Sequence, residues 1–129
     1  MIGWFEKKRV VSILFVVLIA LEIFFFSSIP GSIGGTGNVW VPRAYHSIVF
    51  FLFSFFSFIA IKGDKKIKTK YIFIVLIISL IYAAMDEIHQ SFVPLRSMTL
   101  EDFLTDSFGV FVSVILYTYV SKKTKKKKS

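Results

Sequence analysis

Four apolar stretches of bilayer-crossing length decide what this chain can fold into. They cover residues 10–29, 45–61, 71–89 and 103–120. At ~1.5 Å rise per residue, twenty helical residues give roughly 30 Å, the thickness of a hydrocarbon core. With 55% hydrophobic residues and 16 phenylalanines in 129, no soluble domain of this size could bury its own apolar surface. The expected fold is all-α, an integral membrane four-helix bundle. A signal peptide is the competing reading of the first stretch. Signal-peptide cores are shorter and end in small residues, whereas this one carries Glu22 and ends in Phe24-Phe25-Phe26.

The connections read as follows. Residues 27–41 form a loop rich in Pro30, Gly31, Gly34, Gly35, Gly37 and Asn38. Pro42 fits the first turn of the second helix. Residues 62–70 are a charged turn with five lysines and Asp64. Pro94 stops or kinks the third helix. Thr99 caps the fourth, with Asp102 three residues later as in a capping box. Residues 121–129 are a basic tail, expected to be disordered in water. Tyr71, Tyr117 and Tyr119 fit interfacial anchoring. Cysteine is absent, which excludes a disulfide framework and thiolate metal ligation.

Charge sets the topology. A net charge of +8 would suggest nucleic acid in a soluble protein. Here the lysines sit in blocks flanking the spans, so no nucleic-acid partner is expected. In a four-span arrangement 14 of the 16 Lys and Arg residues fall on one side, leaving Arg43 and Arg96 on the other. The positive-inside rule then places both termini in the cytoplasm. Glu22, Asp86, Glu87, Glu101, Asp102 and Asp106 gather toward the outer end.

Depth aligns several of these groups. Measured from the inner helix ends at ~1.5 Å per residue, Glu22 lies ~18 Å up, His46 and Asp86 ~22 Å, and Asp106 ~21 Å. An unpaired ionisable group near the bilayer centre costs ~2.5–3.5 kcal/mol on insertion scales, so all four are expected to point inward. On the third helix Asp86, His89 and Gln90 share one face, with Glu87 one residue round. On the fourth, Asp102, Asp106, Gly109 and Ser113 line a single stripe. There Gly109 and Ser113 form a small-xxx-small contact that permits close helix approach.

The predicted ligand-binding or polar network comprises His46, Asp86, Glu87, Gln90, Arg96, Asp102 and Asp106, with Arg43, Glu22 and His89 as possible additions. Crowded acids with a histidine suit proton transfer, and equally suit a neutralised structural network around Arg96. The planar fork of Arg96 matches a phosphate or carboxylate; the alternative is a salt bridge to Glu87 or Asp102. No cofactor is expected, and no His-x-x-x-His or His-x-Glu pair fixes metal geometry on one helix. No nucleophile elbow or phosphate-cradling glycine loop appears, so no catalytic residue is assigned.

Four motifs in order carry a resemblance: Phe26-Ser27-Ser28-Ile29-Pro30 at the exit of the first span; Arg43, Ala44 and His46 opening the second; Asp86-Glu87-Ile88-His89-Gln90-Ser91-Phe92-Val93-Pro94-Leu95-Arg96; and Asp102-Phe103-Leu104-Thr105-Asp106-Ser107-Phe108-Gly109. At this spacing they resemble the VanZ-like family of small bacterial membrane proteins, named after a teicoplanin-resistance protein. Leu95 stands where that family commonly has glycine, and Glu22 has no counterpart in its pattern. The resemblance implies a cytoplasmic-membrane protein linked to glycopeptide or lipoglycopeptide tolerance. The implied partners are membrane lipids and a lipid-linked or lipoglycopeptide ligand. Two alternatives are an intramembrane enzyme on a cell-envelope lipid, using His46 with Glu87 or Asp106, and a proton-linked carrier using Glu22 and Asp106, which would need to dimerise.

Overall fold

The computed structural model describes residues 2–31 and 40–126. Five helices order the chain: α1 (Ile2–Lys7), α2 (Arg9–Ser27), α3 (Trp40–Lys62), α4 (Thr69–Gln90) and α5 (Leu100–Lys126). No strand occurs among the described residues. Helices α2 to α5 are each long and apolar enough to cross a membrane, with candidate spans of 19, 23, 22 and 24 residues.

Polarity is turned inside out relative to a soluble bundle. Leu18, Phe25, Phe73, Ile77 and Ile115 project outward, while Ser54, Ser79, Ser113 and Asp106 are fully buried. Hydrocarbon as the surrounding solvent accounts for both facts. Apolar side chains lose nothing by facing lipid, and polar ones must find partners inside.

Helix α3 is the hub. It packs against α1, α2, α4 and α5, most extensively against α5, while α2 and α5 do not meet. The α3–α5 contact depends on Gly109. A Cβ there would overlap the backbone carbonyl of Ser47 and stand 3.1 Å from the Phe51 nitrogen. The small-residue stripe expected on this helix is therefore where two backbones close on each other.

Moving along α3, polar and apolar layers alternate. His46 lies near one end. Ile23, Val49, Phe50, Phe53, Ala83 and Val110 form the first apolar layer. Phe58, Ile59, Tyr71, Val75, Val114 and Tyr117 form the second. Lys62 closes the far end.

That far end differs from its sequence reading. Lys62 belongs to α3, not to a solvated turn, and its side chain is fully buried. Its Nζ donates to Glu6 Oε1 at 2.7 Å and to the Gly63 carbonyl at 2.9 Å. Tyr117 donates to the same Glu6 oxygen at 2.6 Å, and its ring lies 5.8 Å from Nζ. Tyr117 and Tyr71 are thus core residues rather than interfacial anchors; only Tyr119 is exposed. The short α1, absent from the sequence reading, positions Glu6.

Glu6→Ala strands a buried ammonium, which costs about 1–3 kcal/mol or more. It is expected to lower Tm in detergent clearly. Adding Lys62→Met should restore most of the loss, because the unpaired charge goes too. A double variant no more stable than Glu6→Ala alone would contradict this.

Helix boundaries shift elsewhere. α3 begins at Trp40, so Pro42 does lie in its first turn, and α5 continues as helix through Lys126 where a disordered tail was expected. Gly34, Gly35, Gly37, Asn38 and residues 127–129 lie outside the described residues. Pro94 does not itself stop α4, which ends at Gln90 with Ser91 as its C-cap.

Candidate functional site

One end of the bundle carries a pocket of about 270 Å³. Helix α3 contributes Pro42, Arg43 and His46; α4 contributes Glu87 and Gln90; the α4–α5 connection supplies Leu95, Arg96, Ser97 and Thr99; α5 supplies Asp102 and Thr105.

The connection between α4 and α5 shapes one wall. After α4, the N–H groups of Phe92 and Val93 donate to the carbonyls of His89 and Gln90, each at 3.0 Å. Pro94 offers no donor, but its carbonyl accepts from the Gly31 N–H at 3.2 Å, tying this turn to the exit of α2. Leu95 then adopts φ +62°, the left-handed region glycine favours. The turn keeps a glycine-like geometry with leucine in it, and that leucine is 90% exposed. Left-handed backbone costs leucine ~1–2 kcal/mol, while glycine costs ~0.4–1 kcal/mol through unfolded-state entropy. Leu95→Gly is therefore expected to hold or slightly raise Tm, and β-branched Leu95→Val to lower it. A clear drop for Leu95→Gly would contradict the strain assignment.

Thr99 caps α5 as its sequence suggests. The Asp102 N–H donates to Thr99 Oγ1 at 3.1 Å, and the Thr99 hydroxyl donates to Asp102 Oδ2 at 2.6 Å. In a capping box the acid would also take the N-cap backbone N–H. Here Glu87 Oε2 takes it, accepting from the Thr99 N–H at 3.2 Å. A buried acid of α4 thereby fixes the start of α5.

The two arginines divide their work differently from expectation. Arg43 is the ion-pair residue, donating from Nε to Asp102 Oδ1 at 2.9 Å and from Nη2 to Glu101. Arg96 forms neither of the salt bridges foreseen for it. Its Nη2 donates to Gln90 Oε1 at 2.8 Å and its Nη1 to the Phe26 carbonyl at 3.4 Å. Among the described residues no carboxylate comes within 4.0 Å of it. Asp102 is already engaged by Arg43, which removes the nearest reason for Arg96 to turn that way.

Behind the pocket wall the polar chain continues inward. Gln90 Nε2 donates to Asp86 Oδ2 at 2.7 Å. Asp86 Oδ2 lies 3.8 Å from His46 Nδ1, and Asp106 Oδ1 lies 3.5 Å from the same nitrogen. His46, Asp86 and Asp106 are all buried, and their ligand atoms lie within 4.8 Å of one another. Both Asp106 oxygens, His46 Nε2 and Glu87 Oε1 are buried without a hydrogen-bond partner.

The structure thus brings together His46, Asp86, Glu87, Gln90, Arg96, Asp102 and Asp106, with Arg43 beside them. Two groups stand apart. Glu22 faces outward from α2 and accepts from Tyr45 Oη at 3.1 Å, so it shares the depth of the cluster but not its interior. Glu22 is thus not one of the buried groups around Asp106. His89 stacks on Phe24 with ring centroids 4.6 Å apart and pairs with Ser28 Oγ at 2.9 Å, fastening α4 to the end of α2. Sequence reasoning missed Pro42, Leu95, Ser97, Thr99 and Thr105 as pocket residues. The capping signal at Thr99 was visible, but its contact with Glu87 spans twelve residues.

No curated protein and no solved structure matches the chain. The family model described as VanZ/LLP1 matches residues 11–121, taking in all four spans and every motif of the pocket. This chain, all-helical among its described residues with four helices long and apolar enough to cross a membrane, belongs to the VanZ-like family.

Proposed function

We propose that the pocket opens at the outer face of the cytoplasmic membrane, with both termini inside. There it engages the anionic head of a lipophilic or lipid-linked ligand and so gives tolerance to teicoplanin-type lipoglycopeptides. Arg96 carries this reading. It lines the pocket with its charge unmatched by any carboxylate within 4.0 Å among the described residues. A guanidinium has five N–H donors, and this one uses two of them, on the Gln90 amide oxygen and the Phe26 carbonyl. An incoming phosphate or carboxylate would find a planar fork already held in place by Gln90. The lysine-rich end, with Lys65 and Lys66 in the α3–α4 connection and Lys122 in the last turns of α5, supports the orientation through the positive-inside rule.

The test is tolerance in cells expressing variants that insert normally. Arg96→Ala and Glu87→Gln are expected to abolish any teicoplanin tolerance, the first by removing the fork and the second by loosening the Thr99 cap that shapes the wall. Wild-type tolerance in well-inserted variants would overturn the proposal.

A second reading draws on one observation, the 3.5 Å approach of His46 to Asp106. Such a pair could serve acid–base chemistry on an envelope lipid. Purified protein should then change the mass of a supplied envelope lipid, and His46→Ala should stop it.

A further inference from the structure

Beneath the pocket, three buried side chains from three different helices converge: His46 of α3, Asp86 of α4 and Asp106 of α5. Their spacing does not suit hydrogen bonding among themselves. Charge-assisted N–H···O contacts run ~2.7–2.9 Å, whereas His46 Nδ1 stands 3.5 Å from Asp106 Oδ1 and 3.8 Å from Asp86 Oδ2. Ligands held ~2.0–2.1 Å from a tetrahedral ion stand about 3.4 Å apart. The 3.5 Å separation is close to that edge, and the 3.8 Å one exceeds it by a few tenths of an ångström.

Satisfaction points the same way. Asp106 is completely buried, and neither of its carboxylate oxygens has a hydrogen-bond partner. A carboxylate stripped of water, with its nearest donor no closer than His46 Nδ1 at 3.5 Å, is costly in any protein interior, and more so within a membrane. Asp86 is also 95% buried but does have a donor in Gln90 Nε2. Two carboxylates and a neutral imidazole carry two negative charges, which one divalent cation cancels.

We infer that His46, Asp86 and Asp106 form a binding site for a divalent transition cation of the Zn²⁺ class. One imidazole nitrogen with two carboxylate oxygens is a set of three ligands of the kinds Zn²⁺ accepts, the nitrogen favouring it over harder ions. Ca²⁺ takes six to eight oxygens and Mg²⁺ a near-ideal octahedron, which three side chains including a nitrogen ligand do not supply. Three protein ligands leave one position open, the pattern of zinc sites that bind a further group. His46 also lines the pocket, so that position would be reachable from it. Gln90, donating to Asp86 Oδ2 and accepting from Arg96, is the outer-shell residue that orients the carboxylate. The sequence hides such a site because each ligand comes from a separate helix.

The cation stands independently of the tolerance reading, since it is measured on the protein alone. Full-length protein without a polyhistidine tag is stripped with chelator in mild detergent and titrated with ZnCl₂ by calorimetry. The expected result is one Zn²⁺ per chain and a raised Tm. Asp86→Asn and Asp106→Asn should each weaken binding beyond the ~10–100-fold typical of outer-shell changes, while His89→Gln leaves it unchanged. No binding by the wild type, or equal binding by both Asn variants, would overturn the inference. Should an Asn variant lose its helical signal, wild type loaded with Co²⁺ decides. Visible bands of four- or five-coordinate nitrogen–oxygen ligation support the site, and their absence refutes it.

Discussion

Gly109→Val is expected to prevent the bundle from closing. Even the first carbon of a side chain at this position overlaps the Ser47 carbonyl, and it crowds the Phe51 nitrogen at 3.1 Å. Both obstacles are backbone atoms of α3, so no rotamer change can clear them. The only relief is to push α5 away from α3, the most extensive helix pair in the molecule. That motion would pull Asp106 from His46 and Asp102 from Arg43. Overpacking a close-packed interior costs ~1–3 kcal/mol, and more where backbones must separate. Gly109→Ala should lower Tm, and Gly109→Val should leave the protein aggregated or degraded on expression. A Gly109→Val protein with wild-type Tm would show that α3 and α5 do not approach in this way.

The second large effect concerns Arg96. Arg96→Ala removes a charge that supports nothing else ionic, because Arg43 already serves Glu101 and Asp102. The protein is therefore expected to insert and fold, losing two hydrogen bonds worth roughly 0.5–1.5 kcal/mol each, while losing the proposed anionic ligand altogether. Arg96→Lys restores a point charge without the fork. It should recover only part of the binding, since bidentate geometry is lost. Equal behaviour of alanine and lysine would argue that charge at this position is irrelevant.

How far the sequence reveals this molecule depends on the kind of information each part needs. Helix positions follow from hydrocarbon length, a local property, and all four spans were recognisable within a turn or two. The gathering of His46, Asp86 and Asp106 at one level also followed from counting residues, because a helix rises by a fixed amount. Direction around the helix axis was harder. Glu22 shares the level but faces out to Tyr45, and depth alone cannot distinguish an inward face from an outward one. Pairing across the chain was harder still. The exchange by which Arg43 takes Asp102 and leaves Arg96 to Gln90 depends on side-chain reach between helices 59 positions apart. The buried Lys62 was hidden for the opposite reason. Its surroundings in sequence are solvated lysines, and only Glu6 and Tyr117, distant in the chain, make its burial tolerable. The glycine-like turn at Leu95 shows backbone geometry persisting where the residue type argues against it.

The central claim is that the Arg96 pocket holds an anionic, lipophilic ligand. It is tested most directly by extracting wild type and Arg96→Ala from the same membranes in mild detergent and quantifying bound lipid by mass spectrometry. A phosphate- or carboxylate-bearing lipid enriched in the wild type and lost from a folded Arg96→Ala protein is the predicted result. Identical lipid content in the two would contradict it.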